Sequence, residues 1–578
     1  MWWPALVAQL VATAHPDSIG VLRAARSAQA SFEQYRIAHL PRARSGGRPN
    51  RCDEVVGRFC FWHDEDETWQ ATPEPPATVD ARRRLLHTLD SLGALLPGDP
   101  WIVGQRVRYL IESGAGEDAR AAARGCRSSP WWCAALLGYA LHAGRDYPRA
   151  DSAFASALAA MPEEQRCRWT DLSLVLDGLR GRYRRLSCAQ RAALERRIWW
   201  LADPLHLVPG NERRTEHFAR RVINALQEEA RSAYGVRWGA DLEELLLRYG
   251  WPVGWEREEP IGAAAPLRPA IISHNQRESR HFLPPARFVE APNTILPDEW
   301  ELDPDGPVTG YAPPYAAVFH ALPHQVAVFR RGDSIVVVAG YDVRAGKDQR
   351  RRARASAGPG EPARTVARVE AALVLAPDEI AEPVIVRGMG HGPEGVMTAI
   401  APAASALLSL ETLDTADSVH AARARYWLPV LPPAQDVALS HPLILRAAPE
   451  DAPHPSLADV IPLVRPVARA RRGERVGVFW ETYGLERSTR PFRVTLTVTQ
   501  VGRSWIRKVT EWAGLAKRDP HYVSLSWEEA PRPGTSVYPR ALAISLPEAS
   551  PGVYHLEVTV AVPGMPIASA EREITIEP

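Results

Sequence analysis

The chain has 578 residues, 46% of them hydrophobic, and its 69 basic and 68 acidic side chains leave a net charge of +1. That balance excludes a dedicated nucleic-acid binder, because neutralising phosphates leaves a strongly basic surface. The length exceeds one ordinary core, so three or four domains are expected.

Lys347, Lys508 and Lys517 are the only lysines, and with Ala, Pro and Gly so frequent this reads as GC-rich, bacterial coding. Residues 1–14 hold an apolar run, Trp2 to Val11, followed by Ala12-Thr13-Ala14. This is the pattern of a signal peptide with an A-x-A cleavage site, although the basic start is missing. Left uncut, the run would be a weak membrane anchor or a buried first helix. No later stretch has about 18 uninterrupted apolar residues, so no transmembrane helix is expected beyond the leader.

All six cysteines, Cys52, Cys60, Cys126, Cys133, Cys167 and Cys188, lie in the first third of the chain. Short-loop closure favours Cys52–Cys60, Cys126–Cys133 and Cys167–Cys188 among the possible pairings. Leader and cysteines together predict an exported protein, whether periplasmic, cell-surface or secreted. The alternative is a cytoplasmic protein with buried thiols. No CxxC or zinc-type Cys/His spacing occurs, so neither a metal nor a cofactor is expected.

Residues 15–202 read as a Cys-containing helical region. Around Cys60, Phe59, Phe61, Trp62 and Trp69 border an acidic run, Asp64 to Glu67, which lacks the glycine and ligand alternation of a calcium loop. From Asp80 onward apolar residues recur three and four apart. Leu137, Gly138, Leu141, Ala150, Phe154, Ala157 and Pro162 fall at tetratricopeptide spacings. In that pattern small Gly138 and Ala150 let two helices approach, Phe154 fills the space and Pro162 ends the second helix. Trp101 to Ser128 is a weaker copy. Such arrays present a groove lined by their first helices, which predicts a protein partner.

Residues 203–255 form a helical joint. Asn211 is an N-cap, Phe218, Val222, Ala225 and Leu226 make an apolar stripe, and Glu216 and Arg220 are four apart. Asp241 with Glu244 suggests a capping box, and Gly250 and Pro252 stop the helix. Here Asn211-Glu212-Arg213, then Trp238 and Asp241, then Tyr249, Gly250 and Pro252, resemble the bacterial family named for its GWxTD motif. Arg237 stands in place of the motif's Gly and Ala240 in place of its Thr. The resemblance covers about fifty residues. It implies an exported protein with a helical front and β-rich domains behind, and it transfers no catalytic residue.

Residues 256–310 read as a Pro-rich linker. From 311 to 432 the period changes to two, as expected of a β-sandwich, with a hairpin turning at Arg331-Gly332-Asp333. Residues 433–465 read as a second linker and 466–578 as a C-terminal sandwich. The predicted fold class is therefore multidomain α+β: an N-terminal α-helical, tetratricopeptide-like array followed by two antiparallel, immunoglobulin-like β-sandwiches.

No GxSxG elbow, HExxH, phosphate loop or dinucleotide fingerprint occurs. His320 and His324 flank Pro323 in strand context, and the glycines from Gly388 to Gly395 make a long turn. The leading expectation is an exported, non-enzymatic interaction protein. Two alternatives remain: a hydrolase using Asp241, His274 and His281 in the joint, or a glycan- or envelope-binding sandwich marked by exposed Trp480, Trp505, Trp512 and Trp527. A basic loop at Arg350 to Arg354 could meet an anionic surface.

Overall fold

A computed structural model describes the chain except for residues 1–17, 43–52, 62–70, 259–269, 276–279, 301, 303–307, 317, 345–367, 391, 416–419, 431–436, 448–453, 487, 489, 502–522, 533 and 546–548. The leader, the acidic run and the basic loop fall outside the described residues. Two compact units emerge. One comprises Met1–Pro204, Val208–Val289 and Asp303–Pro313, the other Leu205–Leu207, Glu290–Leu302 and Pro314–Pro578. The fold is multidomain α+β, with an N-terminal helical region and sandwich-like sheets behind it.

In the helical unit α1 (Ser18–Ala38) precedes a hairpin of β1 (Glu54–Val56) and β2 (Phe59–Phe61). Then come α2 (Pro76–Leu95), α3 (Pro100–Glu112), α4 (Gly116–Arg124), α5 (Pro130–Ala143), α6 (Tyr147–Ala160), α7 (Glu163–Thr170), α8 (Arg180–Tyr183), α9 (Cys188–Ala202), α10 (Glu212–Glu228) and α11 (Ala240–Tyr249). A second hairpin of β3 (Gly254–Glu258) and β4 (Ala270–His274) and the short α12 (Ala286–Glu290) follow.

The helix starts carry their signals. Asp99 and Asp146 accept from the backbone N–H groups of Ile102 and Arg149, each ahead of a proline in the first turn, and Ser187 with Gln190 forms a capping box. Between α1 and α3 the buried Glu33 carboxylate accepts from Tyr109 Oη at 2.6 Å and Arg108 Nη2 at 3.1 Å, while Glu112 accepts from Arg108 and Arg36.

Disulfides join Cys126 to Cys133 across the α4–α5 turn and Cys167 to Cys188 between α7 and α9. Cys60 is also disulfide-bonded, and Cys52 lies outside the described residues. Such bonds persist in oxidising compartments and point to an exported protein. Among the described residues no helix is long and apolar enough to cross a membrane.

The β unit holds β5 (Val318–Ala321), β6 (His324–Arg331), β7 (Ser334–Asp342), β8 (Val369–Ala376), β9 (Val384–Gly390), β10 (Glu394–Pro402), β11 (Ala406–Asp414) and β12 (His420–Leu428). The sheets β10-β7-β6 and β5-β12-β11-β8-β9 enclose a core that includes Val328, Val337, Leu373, Leu408 and Leu410. After β13 (Ala438–Leu439), β14 (Leu443–Leu445) and β15 (Arg469–Arg471) come β16 (Arg475–Tyr483), β17 (Phe492–Gln500), β18 (Val523–Glu529), β19 (Val537–Ser545), β20 (Gly552–Ala561) and β21 (Ala568–Glu577). The sheet β13-β16-β14, with β19 on β16, faces β15-β21-β20-β17-β18 across Trp480, Val494, Leu496 and Val558.

Three expectations change. Each five-stranded sheet carries a parallel edge pair, β5 on β12 and β15 on β21, so neither sandwich is purely antiparallel. The stretch 433–465, read as a linker, supplies β13, β14 and a buried cluster of Leu443, Leu445, Leu457, Val460 and Val464 packed against Ala327, Phe329, Val338 and Phe479. Its Leu443-Ile444-Leu445 run is a strand buried on both faces, which shows no alternation. Likewise 256–310 contributes the β3–β4 hairpin rather than unstructured chain.

Candidate interaction surfaces

α10 decides what the helical unit can offer. Asn211 caps it, accepting from Arg214 N–H at 2.9 Å and donating to the Trp199 carbonyl at 2.6 Å. Its stripe of Phe218, Val222 and Leu226 is buried in one core with Val107, Ala135, Leu136 and Tyr139 of α3 and α5. Gln105 donates to the Leu226 carbonyl at 2.8 Å. His142 of α5 meets Thr215 at 2.9 Å and Glu216 at 2.7 Å. The face made by the first helices α3 and α5, where a partner was expected, is therefore occupied by the chain's own helix.

Arg220 ties this helix to its neighbours. Its guanidinium donates to Glu216 at 2.7 Å, to the Leu247 and Arg248 carbonyls at 3.0 and 3.1 Å, and to the Gly310 carbonyl at 2.9 Å. Residue 250 must be glycine on two counts: φ is 86°, and a Cβ there would lie 2.9 Å from Arg220 Nη2. Burial alone would raise the Glu216 carboxyl, but Arg220 and His142 hold it far below the usual carboxylate range.

Arg213 is the opposite case. It is fully buried, and among the described residues none of its guanidinium nitrogens has a hydrogen-bond acceptor. It sits 5.9 Å from the Trp199 ring and 5.8 Å from the Tyr311 ring. Burial, and then repulsion from Arg220, push it down to about 9. Glu212, beside it in the first turn, is also buried.

The remaining motif residues brace α11. Trp238 packs against the helical core and donates to Asn224 at 2.8 Å. Asp241 and Glu244 form no capping box. α11 is preceded by Gly239 with no side-chain cap, and Asp241 instead takes Arg58 Nε at 2.5 Å and Nη2 at 2.8 Å. The Arg58 contacts hold its carboxyl down to about 2. Tyr249 donates to Glu54 at 2.6 Å and stacks on Phe61 at 3.7 Å, and Pro252 is buried. Sequence reasoning missed the β1–β2 hairpin that supplies Glu54, Arg58 and Phe61. The signal was Gly57-Arg58 between two apolar pairs, and Gly57 has a φ of 55°.

The tetratricopeptide-spaced residues lie on α5 and α6. Phe154 ring carbons stand 2.8 Å from where a Cβ on Gly138 would be, Ala150 and Ala157 are fully buried, and Pro162 directly precedes α7. Where α4, α5 and α6 meet, a groove of about 350 Å³ is floored by Leu137, Leu141 and Ala153 and edged by Ser152, Ser156, Arg124 and Arg149. Arg149 pairs with Asp146 at 2.6 Å. Arg124 makes no side-chain hydrogen bond or ion pair among the described residues.

The three residues of the hydrolase alternative each meet a partner of their own. Asp241 is held by Arg58, His274 lies 3.3 Å from Glu256, and His281 meets Thr309 at 2.9 Å. No group of three or more potential metal ligands occurs among the described residues. Of the four tryptophans of the glycan-binding alternative, two can be placed. Trp480 is fully buried, Trp527 packs 6.4 Å from it, and Trp505 and Trp512 fall outside the described residues.

The β unit contains a polar cleft of about 820 Å³ lined by Arg446, Arg465, Arg469, Arg471 and Arg472 together with Asp342, Glu394, Glu474 and Glu577.

No family model and no curated protein matches the chain. Solved structures similar to parts of it include a membrane-anchored protein from Corynebacterium diphtheriae, 12% identical, covering 44% of this chain and 57% of that one, with a TM-score of 0.12. The C-terminal domain of the antigen I/II-family protein AspA of Streptococcus pyogenes is 9% identical over 44% of this chain and 99% of its own, at 0.13. Alpha-2-macroglobulin from Escherichia coli, from domain MG7 to its C-terminus, is 12% identical over 87% of this chain and 60% of its own, at 0.14. The chain thus spans less than two thirds of the first and third of these. Scores at this level carry no argument about fold or function.

Proposed function

We propose that this is an exported, non-enzymatic interaction protein that takes a protein partner through its helical array, at the α4–α5–α6 groove. The observation that carries the reading is the groove itself: an apolar floor of Leu137, Leu141 and Ala153 between two arginines, one of them without an ion pair among the described residues. An apolar anchor flanked by a carboxylate on the partner fits that arrangement, since the floor rewards burial and Arg124 rewards the charge. The first-helix face is closed by α10 and leaves this groove to the partner. On this proposal the GWxTD-like residues do structural work, as cap, ring and turn. Export places the work in the periplasm, at the cell surface or outside the cell.

The test is site-specific photo-crosslinking from position 152 in cells of the source bacterium. The proposal predicts one discrete protein adduct that disappears with Leu137→Glu or Arg124→Glu while the purified variants melt like the parent. Persistence of the adduct in both variants contradicts it.

A further inference from the structure

We propose that the cleft in the β unit is a binding site for a small polyanion bearing phosphate or sulfate groups. The argument is a charge inventory. Each acidic residue in the lining already faces a cation: Asp342 has Arg344 at 3.5 Å, Glu394 has Arg344 at 2.5 Å and Arg446 at 3.2 Å, Glu474 has Arg465, and Glu577 has Arg469 at 3.8 Å. Arg465 is fully engaged, since it also donates to the Leu445 and Arg469 carbonyls.

Arg471 and Arg472 differ. Their backbone N–H groups are fixed, Arg471 on Glu474 at 2.8 Å and Arg472 on the Glu577 carbonyl at 2.9 Å. Their exposed guanidiniums make no side-chain hydrogen bond or ion pair among the described residues. Gly473, at a φ of 74°, turns the chain directly after them, so two exposed cations, the Arg471 guanidinium in the field of Glu474 but not bonded to it, stand on a backbone that is already anchored.

The lining disfavours a sugar or an apolar ligand. Among the described residues it contains no aromatic ring for a sugar to stack on, and its apolar side chains are Pro466, Val467 and Ala470. Recognition must come from charge, and the planar guanidinium fork matches the oxygens of phosphate and sulfate. The volume lies in the range of small-molecule sites. This site is independent of the helical groove.

The test is titration calorimetry on the full chain with myo-inositol hexakisphosphate, inorganic phosphate and myo-inositol, at low and raised salt. The proposal predicts salt-sensitive binding of the hexakisphosphate. Arg471→Gln with Arg472→Gln should weaken it at least about tenfold, as loss of one charge-assisted contact requires. The control pair Arg184→Gln with Arg185→Gln should leave it unchanged. Inorganic phosphate binding as tightly would identify a free ion as the natural occupant, and tighter hexakisphosphate binding would identify an ester. No binding, equal binding of myo-inositol, or equal weakening in the control pair would overturn the site. Coincident melting curves for all variants exclude a folding effect.

Discussion

Leu226 stands where a side chain on Gly104 would be: its Cδ2 lies 2.4 Å from the position of a Cβ at residue 104. This contact is how α10 seats against α3, and it explains why the array's expected groove is filled. A glycine inside a helix weakens it by about 1 kcal/mol relative to alanine, and at this position it buys helix-to-helix approach.

Gly104→Ala should therefore destabilise the protein by about 1–3 kcal/mol, against its helix propensity, because the new methyl overlaps Leu226. Adding Leu226→Ala should cost less than the sum of the two single changes, since the overlap is relieved. Urea unfolding of the three variants measures both effects.

Arg213 and Arg220 should respond in opposite directions. Arg220→Met strands three carbonyls and leaves Glu216 with His142 alone, and should cost about 3–5 kcal/mol. Arg213→Met removes a buried charge that has no acceptor among the described residues and should leave stability unchanged or raise it by about 1–3 kcal/mol. Melting temperatures at pH 7 separate the two; a large loss in Arg213→Met would show that the guanidinium is engaged.

Acid should act through Glu216. Its carboxyl is depressed in the folded state, so its contribution is fully present above the unfolded value near 4.3 and is lost as pH falls below it. His217 is buried and depressed too, so the unfolded chain gains its proton first, and stability begins to fall below about pH 6.5. Glu216→Gln should flatten the stability profile below about pH 4.3, and His217→Phe the part between 6.5 and that point, in denaturant titrations across pH.

Removing the disulfides should rank by loop length. Cys167 and Cys188 are 21 residues apart, Cys126 and Cys133 only 7, so paired serine substitutions should cost more at the former, with both near about 2–4 kcal/mol. Non-reducing peptide mapping should recover both pairs.

The helices and most strands were legible because their apolar residues keep a period. Phe492–Gln500 alternates between fully buried and more open positions, and its sequence shows that period. β14 was not legible, because burial on both faces removes alternation. The self-closure of the array was not legible either. The stripe of Phe218, Val222 and Leu226 announced an amphipathic helix but not the surface it covers, and that depends on Gly104 and Gln105, more than a hundred residues earlier. Trp480 shows the same limit, since composition alone could not tell a sugar platform from a core ring.

Native-state hydrogen exchange tests most directly whether α10 is a fixed part of the helical core. The amides of Val222 to Leu226 should exchange only with the same opening free energy as those of Leu136 to Ala140 in α5. Markedly faster exchange in α10, with α5 still protected, would mean that the helix leaves the first-helix face open to a partner, and would contradict this account.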